Sequence, residues 1–307
     1  MICECDNSMQ NTGLPSCVSS ITEAVEAFLV PLVDSAGAAN KIANGATVDN
    51  AYMLLRLNDS DPSQRWYPLK DIKNVQTGTP GEAVYKEWDD RTKGKVADGV
   101  RSAEFTHANK SPKFLGILES FECTAMGVFY RTRSGRIRGY KADETGDLYP
   151  ISIQQGSMSS METDATSSDF YNIVTRFDWS FDMQGSNVRE WKNTVNWASP
   201  LLIGRLDVTM ELVGTPNVNY FDAKFYHTHG EINLKEPITG LITSVFSLAE
   251  VTPTPGAVSF TAAETATEGT YRFTFAAPTT IADVLQLTGT KNGFDFATIE
   301  DVVITIA

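Results

Sequence analysis

Val174-Thr-Arg-Phe-Asp-Trp-Ser-Phe-Asp-Met183 alternates polar and apolar side chains from Arg176 onward. Most of its odd-numbered positions are large and apolar, whereas its even-numbered positions include Arg176, Asp178 and Asp182. Because successive side chains of a strand point to opposite faces, this period of two predicts a half-buried antiparallel strand. Leu206 to Leu212 repeats the pattern and predicts another.

A β-hairpin is predicted just before this stretch. Val128 to Thr132 and Arg136 to Tyr140 flank Ser134-Gly135, which suits a tight turn between two strands. Charged residues often occupy edge strands, where they oppose unwanted pairing, so we expect this hairpin at a sheet edge. The hairpin carries four arginines that we expect to be exposed: Arg131, Arg133, Arg136 and Arg138.

Two segments have the apolar spacing of helices. Ser20 to Val33 carries an apolar stripe at helical spacing, has serines that can cap its start, and has Pro31 near its end. Gly81 to Asp90 places Ala83, Val84 and Trp88 on one side of a second predicted helix.

A long polar loop is predicted from Gln154 to Asp169, since this stretch joins two strand patterns and offers little to bury. Ser157, Met158 and Met161 lie in it and are candidates for contact with a neighbouring subunit. After Gly240 the chain becomes rich in Thr, Ala, Val and Phe. We expect strands there near 258–262, 270–276 and 300–306.

These patterns predict a mainly β protein, an antiparallel β-sandwich or barrel with one or two flanking helices. We expect an extended N-terminal arm at residues 1–19 and a β-sandwich domain at 20–237. Residues 238–307 are expected to form a small Ig-like β-domain or, alternatively, an extension wrapped on the main body.

The net charge of −13 argues against a general nucleic-acid binder, which needs a basic surface. The charge is uneven, because Arg91 to Lys141 is rich in bases and the following stretch to Arg189 is rich in acids. Segments of opposite sign suit packing between copies, although solvated strand faces explain them equally well. The chain has no signal-peptide pattern and no apolar run of membrane-spanning length, so we expect a protein folded in a cytoplasm.

Three of the four cysteines, Cys3, Cys5 and Cys17, lie in the first seventeen residues. With Cys123 they could supply thiolates to zinc, but the Cys-x-Cys hook is short and has no second hook. A redox pair would need Cys-x-x-Cys. We therefore favour reduced cysteines that pack as small apolar residues in an arm lying along an adjacent subunit.

No recognisable catalytic motif or cofactor loop occurs in the sequence. His227 and His229 would share one face of a strand, but no suitable third ligand lies at a convincing spacing. His107 is expected to be a polar surface residue. We expect neither an enzyme nor a bound cofactor.

Several blocks, taken together, resemble a family of virion proteins from tailed phages and prophages of Bacteroidetes hosts. They span about residues 1–150 in the family's order: Cys3-Glu-Cys5, Asn11-Thr-Gly-Leu-Pro-Ser-Cys17, Arg65-Trp-Tyr-Pro-Leu69, Gly99-Val-Arg-Ser102, Ser111-Pro-Lys-Phe-Leu-Gly-Ile-Leu-Glu-Ser120 and Leu148-Tyr-Pro-Ile151. Among virion roles the tail tube subunit fits best.

The resemblance implies a homo-oligomer of stacked hexameric rings in a phage tail, assembled in the bacterial cytoplasm with other tail proteins. Genomic DNA would pass through the ring without specific binding, and no membrane is involved. An acidic lumen repels phosphate, and our candidates for its wall are four acids: Asp178, Asp182, Asp207 and Glu211. The basic hairpin would then pair with an acidic surface of a neighbour.

Two alternatives remain at this point. A capsid decoration or head fibre protein would also be acidic and β-rich, but would need no contact between rings. A carbohydrate-binding adhesin would need exposed aromatic platforms, for which Trp191 and Trp197 are candidates, although core packing explains them better.

Overall fold

A computed structural model of the chain shows a mainly β protein with antiparallel sheets, as the sequence predicts. It describes residues 23–82, 84–88, 93–97, 99–108, 110, 112–142, 145–165, 171–183, 187–202, 204–227, 235–252, 255–300 and 303–307. The predicted N-terminal arm at 1–19 lies outside these residues. The chain divides into two compact units between Ile203 and Gly204.

The first unit contains two helices and twelve strands within the described residues. They are β1 (Ala24–Pro31), α1 (Asn50–Leu57), β2 (Tyr67–Leu69), β3 (Ile72–Pro80), β4 (Val84–Glu87), β5 (Lys93–Ala97), β6 (Arg101–Ala108), α2 (Pro112–Ser120), β7 (Met126–Thr132), β8 (Ile137–Tyr140), β9 (Ile151–Ser152), β10 (Ser159–Thr163), β11 (Asn172–Asp178) and β12 (Val188–Trp191).

Strand β1 is the central element of this unit. It lies between β2 and β7 in a sheet of order β12-β8-β7-β1-β2, to which β9 adds through β7. Phe28 and Val30 enter one hydrophobic cluster, whereas Ala27 and Leu29 enter another. The strand therefore has a core on each face.

The helix predicted from Ser20 to Val33 is wrong, because its described part is β1. A short apolar run buried on both faces has no polar alternation, and it cannot be told from a helix segment by periodicity. Backbone hydrogen bonding to β2 on one side and β7 on the other stabilises this segment as a strand rather than a helix. Helix α1 lies elsewhere, with Asp49 as its N-cap accepting a hydrogen bond from the Tyr52 backbone N–H.

One face of the central sheet packs against a second sheet of order β10-β11-β6-β3. The predicted alternation in β11 is confirmed from Ile173 to Trp179, whose odd-numbered residues are buried. Phe181 departs from it, being 82 % exposed, because the strand ends at Asp178 and a turn follows.

The other face packs against α1 and an aromatic cluster. Trp66 is fully buried between Phe28 at 6.0 Å and Phe129 at 4.8 Å, measured between ring centroids. Met53 and Leu57 bring the buried side of α1 onto the same cluster. The two clusters together fix the position of the central sheet.

The predicted hairpin is confirmed as β7 and β8, with Gly135 at a φ of 80° in its turn. Its predicted place at a sheet edge is wrong. Strand β8 lies between β7 and β12, and β7 lies between β8 and β1. Every described residue of β8 is buried, so this hairpin is part of the core.

The second unit, Gly204–Ala307, is a separate β structure. Its elements are β13 (Leu206–Asp207), β14 (Thr209–Val213), β15 (Tyr220–His227), β16 (Glu236–Pro237), a 3-10 turn (Thr243–Val245), β17 (Phe246–Thr252), β18 (Gly256–Ala257), β19 (Phe260–Glu264), β20 (Thr270–Phe275), β21 (Val284–Gly289), β22 (Phe294–Asp295), α3 (Ala297–Glu300) and β23 (Val303–Thr305). Strands occur near all three places predicted after Gly240.

Two sheets of the second unit, β14-β15-β20-β19 with β16 and β18-β17-β21-β23, share one hydrophobic core. Phe246 joins them, with its ring 5.1 Å from Phe225 and 5.0 Å from Phe273. This makes the unit a β-sandwich. Its boundary lies at Gly204 rather than at 238, because β15 pairs with β20 and brings the strands before 238 into this sandwich.

Truncating β1 on either face should destabilise the first unit. We expect Phe28→Ala to lower its free energy of unfolding by about 3–5 kcal/mol and Leu29→Ala by about 2–5 kcal/mol, since each leaves a cavity in a different cluster. Urea unfolding followed by tryptophan fluorescence reports this unit alone, because all five tryptophans precede Gly204. Leu55→Ala, at an exposed position of α1, is the control and should change stability by less than about 0.5 kcal/mol. A small effect at either β1 position would contradict a strand buried on both faces.

Candidate assembly surfaces

The four arginines predicted to contact a neighbour have different environments. Arg133 is 71 % exposed at its side chain and lies 2.7 Å from Glu23, and Arg136 is partly exposed. Arg131 lies 2.9 Å from Glu26 and packs over the Trp197 ring. Arg138 is buried, and is therefore not available to a neighbouring subunit.

Arg138 belongs to an internal polar network. Its guanidinium lies 3.3 Å from Glu190 and 3.3 Å from the Thr77 hydroxyl, and Arg136 approaches the same carboxylate at 3.8 Å. Burial raises the pKa of Tyr130, which shares this region, above its ordinary value. The network joins β8 to β12 inside the subunit, where the sequence predicted a charged outer surface.

The stretch predicted as a loop from Gln154 to Asp169 contains β10, which pairs with β11 at the edge of the second sheet. Most β10 side chains are exposed, so they give no apolar alternation that would mark a strand. Met161 is exposed there and remains a candidate contact. Met158 is buried in the core, and the Ser157 hydroxyl donates to the Gln154 carbonyl.

The four candidate lumen acids do not share one sheet. Asp178 accepts a hydrogen bond from the Ser102 hydroxyl at 2.6 Å, and Asp182 is exposed in the following turn. Asp207 and Glu211 belong to the second unit. Contact with Lys235 is the main cause that lowers the pKa of Glu211, with a hydrogen bond from Tyr226 adding to it.

The candidate metal ligands are only partly described. Cys3, Cys5 and Cys17 lie outside the described residues, as does His229, and Cys123 is exposed. His227 lies at the end of β15, with its Nε2 3.3 Å from Glu236. In the part of the chain that is described, no three His, Cys, Asp or Glu side chains cluster as a metal site would require.

His107 is buried in the core, which corrects its predicted surface position. Its ring lies 5.2 Å from Phe105 and 5.1 Å from Phe114, between centroids, and neither ring nitrogen has a hydrogen-bond partner among the described residues. Burial, with a smaller contribution from Lys110, lowers the pKa of His107 to about 4.

Sequence reasoning missed an exposed β element. The helix predicted from Gly81 to Asp90 is wrong, since Val84–Glu87 is β4 and pairs with β5 in a two-stranded sheet of its own. This β4–β5 hairpin continues from the pairing of β3 with β6, which reaches Pro80 and Arg101. Tyr85 is 61 % exposed and Trp88 49 % exposed. The pair Val84-Tyr85 has high β propensity and was a signal for it, but too short to outweigh the helical spacing.

Exposure of two aromatic rings on a thin hairpin is a physical indication of a contact surface. A two-stranded hairpin is marginally stable in water unless its face is covered. Covering Tyr85 and Trp88 would remove on the order of 100 Å² of apolar surface at each residue, or about 2–3 kcal/mol each. The hairpin is therefore the best candidate assembly surface among the described residues.

Comparison with protein-family models, curated proteins and solved structures returned no match for the chain. No helix in the described ranges is long and apolar enough to cross a bilayer.

The buried Arg138–Glu190 ion pair leads to a prediction that distinguishes a structural role of Arg138 inside the fold from a role in contacting a neighbour. Arg138→Met should lower the free energy of unfolding by about 3–5 kcal/mol, because it removes one partner of a buried ion pair. Arg133→Met, at the exposed end of the same hairpin, should change it by less than about 1 kcal/mol. Equal effects in urea unfolding would show that Arg138 is not buried in solution.

His107 predicts a loss of stability in acid. The folded pKa of about 4 lies below the ordinary value of 6.5, so the unfolded chain binds the proton first as pH falls. This group alone should therefore remove about 3 kcal/mol of stability between pH 7 and pH 4. Urea titrations at both pH values measure the difference, and in His107→Phe that difference should shrink by about this amount. An unchanged pH dependence in the variant would contradict the prediction.

Proposed function

We propose that this chain is a self-assembling structural subunit of a tailed-phage virion, and that its role is that of a tail tube protein. The observation that carries the proposal is the β4–β5 hairpin, which extends the β3–β6 pairing and exposes Tyr85 and Trp88. A subunit that stacks on copies of itself needs such an element, whereas the sandwich that carries it supplies a rigid base.

The burial pattern of the first unit supports the same role. Strands β3 and β6, which carry the hairpin, pack on the central sheet through Ile72 and Phe105. Thr77 of β3 also lies 3.3 Å from the guanidinium of buried Arg138. A rigid support lowers the entropy that is lost when an exposed element becomes ordered against a neighbour. In a stacked hexameric ring this smaller loss of entropy would apply to the contact made by every subunit.

The remaining parts of the proposal follow the resemblance. The rings would enclose an acidic lumen through which genomic DNA passes without binding, since acidic walls repel phosphate. Asp178 and Asp182 are the candidates in the first unit, and Asp207 and Glu211 in the second. The virion tail is the proposed location, with assembly in the cytoplasm of the bacterial host.

The adhesin alternative loses its original aromatic platform. Trp197 donates its indole N–H to the Gly135 carbonyl and packs 6.0 Å from Phe28, and Trp191 packs on the same cluster. These contacts explain both rings as partly buried packing. Tyr85 and Trp88 would be the only aromatic pair on the β4–β5 hairpin that a glycan could meet, so the same variant tests both functions.

The test is negative-stain microscopy and sedimentation of the purified full chain. Wild type should form hollow tubes or six-fold rings, and Tyr85→Ser with Trp88→Ser should reduce the assembled fraction at least tenfold. That reduction corresponds to the loss of about 1.4 kcal/mol or more per contact. The melting temperature should stay within a few degrees, because neither ring is buried within the subunit.

The matched control is Leu55→Ser with Leu201→Ser, which removes two exposed apolar side chains away from the hairpin and should leave assembly unchanged. Persistent monomers or trimers of wild type that bind phage heads would reject the tube and favour a decoration protein. Normal tubes from the hairpin variant, with loss of attachment to host glycans, would favour the adhesin.

A further inference from the structure

The pairing of β1 with β2 stops before β1 ends. Their ladder joins Leu29 to Tyr67 and Ala27 to Leu69, and its next two positions would join Glu26 to Lys70 and Val25 to Asp71. On its other side β1 remains paired with β7 as far as Ala24. Residues 24–26 therefore have a described strand partner on one side only.

Backbone conformation explains why β2 does not continue. Asp71 has a φ of 58°, in the left-handed region, which breaks the extended conformation that a longer β1–β2 ladder needs. The chain turns there into β3, and β3 pairs with β6 in the second sheet, where a register shift between Lys73 and Gln76 accommodates Asn74 at a φ of 52°. The left-handed Asp71 thus leaves residues 24–26 without β2 beside them.

A cavity of about 400 Å³ occupies this position. We call it the β1 slot. Its lining comes from Glu23 and the start of β1 (Ala24–Glu26), from Asp71 and the start of β3 (Ile72–Asn74), and from Arg131 in β7 and Arg133 just after it. Both arginines are already paired with glutamates, at 2.9 Å to Glu26 and 2.7 Å to Glu23. Since these charges are balanced, the slot suits an extended peptide segment that adds to a sheet edge better than a highly charged ligand.

The position of Glu23 suggests which peptide could fill the slot. Glu23, the first residue described, lies in the lining, and 22 residues precede it. The Arg133 backbone N–H donates to the Glu23 carbonyl at 2.7 Å, so Glu23 is held against the end of β7. For the same chain to enter the slot directly, the residues before Glu23 would have to reverse tightly, and Val18-Ser-Ser-Ile-Thr22 contains no Gly, Asn or Asp to favour this.

We propose that the β1 slot receives the N-terminal segment, residues 1–22, of a neighbouring copy of this chain, which adds as a short strand beside Ala24–Glu26. A segment of this length reaches about 75 Å when extended, enough to span to an adjacent subunit. This rests on the proposed self-assembly, and it assigns a receiving site to the arm. Backbone hydrogen bonds to β1 supply the affinity, and the Glu–Arg pairs border the site.

Photo-crosslinking in assembled particles tests the proposal. Lys73 lines the slot and is exposed, so p-benzoylphenylalanine replaces it in unlabelled chains. These chains are co-assembled with an excess of ¹⁵N-labelled wild type, irradiated, and analysed by mass spectrometry of the crosslinked peptides. We expect crosslinks from position 73 to ¹⁵N-labelled peptides within residues 1–22, at least fivefold more abundant than from the same probe at exposed Leu55.

Three results would overturn the proposal in particles that do form: crosslinks to unlabelled arm peptides only, crosslinks to another region, or no excess over the Leu55 control. Deleting residues 1–22 gives a second measurement, and should lower the assembled fraction at least tenfold without changing the fluorescence-detected stability of the first unit. Absence of particles from wild type is a separate result seen by microscopy, and it rejects the proposed function together with this site.

Discussion

The first unit depends on one strand that is buried on both faces. Strand β1 sends Ala27 and Leu29 into one cluster and Phe28 and Val30 into the other, while β2 and β7 satisfy its backbone on either side. Residues 27–31 of β1 are therefore all apolar and buried, because each of these side chains enters a core. The second sheet, α1 and the Trp66 cluster all pack on the sheet that contains β1.

The same burial explains which parts of the fold could be predicted from sequence. β11 and β14 have one buried and one wetter face, so their alternation identified them, and Ser134-Gly135 identified the turn between β7 and β8. β1 has two buried faces and β10 has almost none, so neither shows a period of two. Hydrophobic periodicity reports the difference in burial between the two faces of a strand. It therefore cannot identify a strand whose two faces are both buried or both exposed.

Candidate site residues were harder to predict than strands, for a related reason. Arginine composition indicated a charged hairpin, but composition does not show whether a charge meets water or another charge. Arg133 and Arg138 are five residues apart in one hairpin, yet one is exposed and the other buried against Glu190. The difference arises from β12, whose pairing with β8 covers Arg138, and that long-range pairing has no local signature.

Two features of the first unit are incomplete as β structure within one chain. The β4–β5 hairpin has only two strands and exposes aromatic rings, and β1 loses its β2 partner where Asp71 takes a left-handed conformation. A left-handed non-glycine residue costs roughly 1–3 kcal/mol, and an exposed strand edge invites unwanted pairing. A monomeric protein would be more stable if β2 were longer and paired with all of β1, and if the aromatic rings of the hairpin were covered. Under the proposed self-assembly, the chain gains instead from keeping both features available, because the missing contacts would then become contacts between copies.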